Sequence, residues 1–472
     1  MDEKKAMIIA PHPDDEINLA GQILPYLHEC DYKVYVVYTT NGDSNKTIGN
    51  KRLNEALMSC KILGISTDNI IFLGYANEWE HEKHLYNESK NSLVSAIGKN
   101  QTNSINAHPE YCFKKNGRHH KFTKANFKTD MKTVICDYFP GLIICVDFDS
   151  HPDHRAASLM FDEVIGEILK EQQVYRPVIL KKFAYNGVWK GDKDYYPYPC
   201  AKTKMHTGIS YSGLIHDLES PTYKWADRVV IPSHKKTITP LLTKNILYKA
   251  AKQHRCTVAW YEMQRVINGD SIFWERRTDN LLLSKVTINT SSGDAIYIND
   301  FKTFDVDDIT NNELICKDKE YCWRPTKDDD LKELRIAFNI EISIQNINIY
   351  EDFSNENHIK RMKVIVGEHI FFVEPNRDGS KTNLYLKNKV LTKIIEFKIL
   401  EYEGEPGISE IEVFDRVEKK LDFIACVDRG KVNIRVYEYF LQKLEKLFFT
   451  IKFLFAFKIK YELNGFWSRI SK

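Results

Sequence analysis

Lys5-Ala6-Met7-Ile8-Ile9-Ala10 runs directly into Pro11-His12-Pro13-Asp14-Asp15-Glu16, and this stretch decides the fold. The first half is an apolar run with the length of a buried strand. The second half gathers histidine, proline and carboxylates where a helix begins. Helical spacing through Ile17, Ala20, Ile23, Leu24 and Leu27 predicts a helix over 16–29. The same pattern returns later. Gly141–Val146 is an apolar strand, Asp147-Phe148-Asp149-Ser150-His151-Pro152-Asp153-His154 follows it, and helical spacing continues over 154–171. Between the two, Lys33–Thr40 reads as a β-branched and aromatic strand ending in Asn41-Gly42-Asp43, and a helix over Lys51–Leu63 stops at Gly64. Asn69–Leu73 and Pro177–Ala184 add strands, and Asn126–Tyr138 adds a helix. Apolar strands alternating with helices imply a mostly parallel sheet covered on both faces. Residues 1–280 therefore read as a Rossmann-like, doubly wound α/β domain.

The more polar stretch Ala76–Lys128 interrupts the alternation and reads as an insertion near the open edge of the sheet, carrying His108, His119 and His120. From about residue 281 the period changes to two. Ile340, Ile342 and Ile344 alternate with polar residues, and Ile347 and Ile349 resume the alternation after a one-residue slip at Gln345-Asn346. Arg361–Val373 and Lys389–Leu400 read as strands, and Gly404-Glu405-Pro406-Gly407 turns into Ile408–Phe414. Short strands separated by turn signals predict an antiparallel β-sandwich over 281–420. Tyr321 and Trp323 are either sugar-stacking aromatics or core.

The chain of 472 residues carries 67 Lys/Arg against 65 Asp/Glu, a net charge of +2, which argues against a nucleic-acid protein. That sum hides an imbalance: residues 430–472 hold nine Lys/Arg and three acids, a net +6, which leaves −4 on residues 1–429. This basic, aromatic-rich tail alternates like a strand from Phe449 to Tyr461, yet 436–463 contains no Gly or Pro, which favours a helix. A peripheral membrane contact, burial in an oligomer and strand pairing with a partner are its competing roles. None of the ten cysteines forms a Cys-x-x-Cys pair, no signal peptide fits the N-terminus, and no apolar run approaches the ~20 residues of a spanning helix. The expected location is cytoplasmic, with the inner face of a membrane as the peripheral alternative.

The two His/Asp clusters follow strand ends in an open α/β sheet, where ligands bind. Hydrolytic zinc takes three His or carboxylate ligands and keeps one position for water. His12 and Asp15, three residues apart, can share one side of a helix-opening turn, and His154 can complete the set. Asp14 is then spare to take a proton, and His151 could face a substrate. Acids that merely cap helix N-termini would account for the carboxylates, but not for three histidines beside them.

At these residues the chain resembles the PIG-L/LmbE-like metal-dependent N-acetylglucosamine deacetylases: Ala10–Glu16 (APHPDDE) and Asp149–Arg155 (DSHPDHR), supported by Thr40–Asp43, Arg52 with Glu55, and Ser271–Thr278. The resemblance covers about residues 5–280. It implies one Zn2+ per chain, or another divalent ion, on His12, Asp15 and His154. It further implies Asp14 as general base, His151 as partner of the oxyanion or leaving amine, and Arg52 and Asp43 at the substrate. Glu16 would support the site or start the helix. The implied partner is an N-acetylated sugar or glycoconjugate. An amidase on a non-sugar or thiol conjugate, and an inactive glycan-binding protein, are the alternatives. Residues 281–417 resemble, in part, galactose-binding-like (discoidin-like) sandwiches.

Overall fold

The computed structural model describes residues 4–77, 84–86, 93–184, 189–190, 204–205, 223–257, 266–267, 269–310, 321–354, 356–417, 436–448 and 450–452. The chain opens with β1 (Lys5–Ala10), then α1 (Asp15–Ala20) and α2 (Leu24–Glu29). β2 (Lys33–Thr40), α3 (Lys51–Ile62) and β3 (Ile70–Tyr75) follow, and then α4 (Tyr111–Asn116) and α5 (Lys124–Tyr138). β4 (Leu142–Val146), α6 (Pro152–Glu171) and β5 (Val178–Lys182) come next. A two-stranded ribbon of β6 (Trp189–Lys190) and β7 (Lys204–Met205) precedes β8 (Val229–Ile231), α7 (Ile246–Ala251) and β9 (Ser271–Arg276).

These strands form one seven-stranded sheet in the order β3-β2-β1-β4-β5-β9-β8. The five from β3 to β5 are parallel, while β9 and β8 are antiparallel additions at one edge. Every residue of β3 and β4, and all but the first of β1 and β2, is buried, as the apolar runs require when helices cover both faces. The order reverses at the neighbours β1 and β4. Their carboxyl ends therefore lie side by side although some 130 residues separate them in sequence, and that crevice is where the two His/Asp clusters emerge.

The predicted helix over 16–29 is two helices. Gly21 keeps a right-handed helical backbone, but α1 ends before it and α2 restarts at Leu24 with Pro25 in its first turn. A proline has no N–H to continue the preceding ladder, so it opens a new turn. Pro152 sits likewise in the first turn of α6, whereas Pro13 precedes the N-cap of α1.

Beyond β9 come β10 (Val286–Thr290), β11 (Glu333–Glu351), β12 (His358–Val366), β13 (His369–Val373), β14 (Thr382–Glu403) and β15 (Ile408–Phe414). They pair as β10-β11-β14-β12-β13, with β15 on the free edge of β11. All are antiparallel. β11 and β14 run 19 and 22 residues, and their pairing breaks register twice, once between Ala337 and Ile342 and once between Ile344 and Asn346. Long strands interrupted by bulges let one strand serve both layers of a sandwich. The second break is the slip read at Gln345-Asn346. The single strand expected over 361–373 is instead the hairpin β12–β13, turned at Gly367, whose φ of +59° suits glycine.

Leu334, Ile347, Ile349, Val364, Phe397, Ile411 and Trp323 share the sandwich core. Tyr321 and Trp323 are both fully buried, so they are core rather than sugar-stacking residues. The connection after β10 returns to the first domain, where Phe301, Phe304, Val306 and Ile309 join its core. Gly166 on α6 permits that return, because a Cβ there would lie 2.1 Å from the Asp300 carbonyl oxygen.

Candidate metal centre and its surroundings

His12 leaves β1 and His154 lies in the first turn of α6, so the β1/β4 seam sets their separation. His12 Nδ1 is 3.1 Å from Asp15 Oδ2, His154 Nε2 is 3.2 Å from the same oxygen, and the two nitrogens are 3.2 Å apart. Neighbouring ligands around a tetrahedral zinc with bonds of ~2.0–2.1 Å lie about 3.3 Å apart, so these three atoms fit a small divalent cation. The remaining nitrogen of each ring is held from behind. His12 Nε2 meets Asp153 Oδ2 at 2.9 Å, and His154 Nδ1 meets Asp149 Oδ1 at 2.8 Å. Carboxylates in that position fix the tautomer and orientation of a ligating histidine. Asp153 is held in turn by His84 Nε2 at 2.8 Å.

The electrostatics favour positive charge. Burial pulls the His154 imidazole down, but Asp149 and Asp15 outweigh it, and its pKa is pushed up to about 10. His12 is likewise raised: burial opposes, and hydrogen bonds to Asp15 and Asp153 prevail. Asp15 and Asp153 are buried, which would raise them, yet their histidine partners hold both well below the carboxylate range. A pocket that protonates histidines and keeps carboxylates ionised is one that suits a cation.

His151 stands beside this triangle. It is the N-cap of α6, and its Nδ1 accepts the Asp153 backbone N–H at 3.1 Å, which leaves Nε2 to carry the proton of the neutral ring. Its ring stacks on His154 with centroids 4.7 Å apart, and burial next to His12 and His154 depresses its pKa well below the usual value. His12, His151 and His154 also form a group whose ligand atoms all lie within 4.8 Å of one another.

Asp14 has φ +127° and ψ −24°, a backbone that non-glycine residues rarely adopt and that costs on the order of 1–3 kcal/mol. Two neighbours impose it. Glu16 Oε2 accepts the Asp14 N–H at 2.9 Å, while Glu16 Oε1 is fixed by Ser59 Oγ and His254 Nε2 at 2.6 and 2.7 Å. Arg52 donates through Nη2 to the Pro13 carbonyl at 2.7 Å and to Asp14 Oδ2 at 3.0 Å. Burial pushes the Asp14 carboxyl up, against the pull of Arg52. Arg52 therefore positions Asp14. Asp43 lies close by, buried. Its Oδ1 accepts the Asn77 N–H at 3.1 Å, and its Oδ2 has no hydrogen-bond partner among the described residues.

The insertion does reach the site, but through His84, which the sequence did not single out. His108 donates from Nε2 to the Ile70 carbonyl oxygen at 2.7 Å, so in its neutral form that nitrogen carries the proton. His119 pairs with Glu110 and His120 with Asp130. Cys112, His120 and Asp130 bring ligand atoms within 4.8 Å, but Asp130 is also bonded by Tyr75 Oη at 2.6 Å and Cys112 by Thr102 Oγ1 at 3.2 Å, a network that binds the insertion to α5. Asp149, Asp153, Glu16 and His254 support the site. The first two were visible inside the second cluster, but only the fold tells a supporting carboxylate from a ligand. His84 and His254 are distant in sequence and carried no signal.

No match was found among curated proteins. Solved structures that align with the chain include N,N'-diacetylchitobiose deacetylase from Pyrococcus horikoshii, at 15% identity over 59% of this chain and 85% of that one, with a TM-score of 0.32. The family 32 CBM from C. perfringens NanJ aligns at 11% identity over 27% of this chain and 92% of its own, with a TM-score of 0.20. The lectin domain of Lectinolysin aligns at 11% identity over 28% and 93%, with a TM-score of 0.23. Residues 7–165, which hold both His/Asp clusters and the seam between β1 and β4, match the family model described as PIG-L: GlcNAc-PI de-N-acetylase.

Proposed function

We propose that the chain is a zinc-dependent hydrolase that removes the N-acetyl group from an N-acetylated amino sugar or glycoconjugate, in the synthesis of a surface glycan or glycolipid. The observation that carries this reading is the triangle of His12 Nδ1, Asp15 Oδ2 and His154 Nε2 beside the strained, Arg52-held Asp14, inside the matched family domain. We assign His12, Asp15 and His154 as metal ligands and keep His151 for the substrate, because its Nδ1 is committed to the Asp153 N–H.

A bound zinc would supply charge that polarises an amide carbonyl and acidifies a water. Asp14 accepts the proton of the attacking water through the carboxylate that Arg52 aims, and burial raises its affinity for that proton. His151 donates from Nε2 toward the amide oxygen as charge develops there, or toward the departing amine. Asp149 and Asp153 hold the rings of His154 and His12. Asp43 offers its unsatisfied oxygen to a substrate hydroxyl. The β-sandwich adds a carbohydrate-binding surface in this reading.

Acetate release across a panel of N-acetylated sugars, free and lipid-linked, with and without chelator, tests the proposal. Release that the chelator abolishes and added zinc restores is expected; release from N-acylated thiol conjugates alone would move the assignment to the amidase alternative.

Gly42 gives a finer test of how Asp14 is held. It has φ +63°, and a Cβ there would lie 2.7 Å from Arg52 Cζ. Gly42→Ala is expected to displace the guanidinium and lower kcat by about tenfold or more with metal content unchanged, since small misplacements of a catalytic group cost that much. Wild-type kcat in this variant would show that Arg52 does not place Asp14.

A further inference from the structure

Residues 436–448 and 450–452 form a helix after the sandwich, and its burial pattern is inverted. Val436, Phe440, Leu444, Leu447 and Ile451 fall at i, i+4, i+8, i+11 and i+15, so they line one face. In a helix of a globular body that stripe faces the core. Here it faces outward, with Val436 90%, Phe440 64% and Leu447 58% exposed. The polar face is the seated one. Gln442 is only 6% exposed, and the Glu445 carboxylate accepts the backbone N–H groups of Leu242 and Thr243 at 2.7 and 2.9 Å.

We propose that this outward stripe is a peripheral contact for an anionic lipid surface. Two observations select that occupant. At 100° per residue the exposed apolar arc continues past Leu444 through Tyr437, Phe448 and Leu441, and Lys443 borders this arc on one side and Lys452 on the other, so both ammonium groups can reach phosphates while the arc enters the acyl boundary. In sequence, the segment 430–472 carries net +6 while residues 1–429 carry −4, so the basic excess of the chain belongs to the segment that contains this helix. A second copy is the other possible occupant, but pairing two such helices would set the same lysines against each other. The inference does not depend on the chemistry proposed at the metal centre.

The test uses the full chain in cosedimentation with vesicles of phosphatidylcholine alone and of phosphatidylcholine with phosphatidylglycerol. Binding to the anionic vesicles is expected, weakened by salt. It should fall at least about tenfold in Phe440→Glu/Leu447→Glu and in Lys443→Glu/Lys452→Glu, since each removes one of the two attractions. Both pairs of positions are at the protein surface. Unchanged circular dichroism and unchanged acetate release from a soluble substrate show that the body is intact. Equal binding to neutral vesicles, no binding to either, or undiminished binding by both variants overturns the proposal. So does a lipid-free dimer that Phe440→Glu/Leu447→Glu dissociates, because the stripe would then belong to a second copy.

Discussion

Asp14→Asn is expected to retain metal at the wild-type stoichiometry and to lose about 10²–10⁴-fold in kcat, the usual contribution of a positioned general base. The substitution isolates proton acceptance from placement. The asparagine carbonyl oxygen can still accept from Arg52, whose Nη2 lies 3.0 Å from Asp14 Oδ2. Asparagine also tolerates positive φ better than most residues, so a backbone at +127° is disturbed less than it would be by alanine. Metal analysis of the purified variant and acetate release under saturating substrate decide the matter. An Asp14→Asn protein with wild-type kcat would remove Asp14 from the chemistry as the proton acceptor.

The second large effect is the loss of a ligand. His154→Ala removes one corner of the triangle and leaves the Asp149 carboxylate, itself almost fully buried, without the ring it holds. Bound zinc is expected to fall to a trace, and acetate release with it. The Asp149 carboxylate keeps the backbone N–H groups of His151 and Ala184 but loses the imidazole, which should cost a further ~1–3 kcal/mol of stability, visible as a lower Tm. Asp149→Asn is the graded companion: it keeps the ring and removes the charge behind it, and about 10–100-fold weaker zinc binding is expected. Full zinc occupancy in His154→Ala would point to a ligand set of His12, Asp15 and His151 instead.

What the sequence disclosed and what it hid divide along a physical line. Strands buried on both faces must be apolar throughout, so β1, β2 and β4 were visible as runs, and the clusters at their ends could be placed on one edge of a sheet before any coordinates. The α1–α2 break was hidden because Gly21 keeps helical dihedrals and the apolar spacing passes through the interruption unchanged. The β12–β13 hairpin was hidden because Val364, Val366, Phe371 and Val373 are apolar on either side of a turn two residues long. At the site, His12, Asp15 and His154 were candidates by type and spacing, and the fold brings their side chains together. His84 and His254 were not, because a histidine that steadies Asp153 or Glu16 is brought there by tertiary structure alone.

The seam between β1 and β4 has a thermodynamic consequence. An ion gripped across it touches residues that are neighbours only once the sheet is assembled, so the unfolded chain has no comparable site. Its binding free energy then becomes folding free energy. Each tenfold rise in free zinc above the dissociation constant should add about 1.4 kcal/mol to the stability of the domain. Resistance of this protein to heat and proteolysis would in that way follow the supply of metal in its surroundings, quite apart from whether any substrate is being turned over.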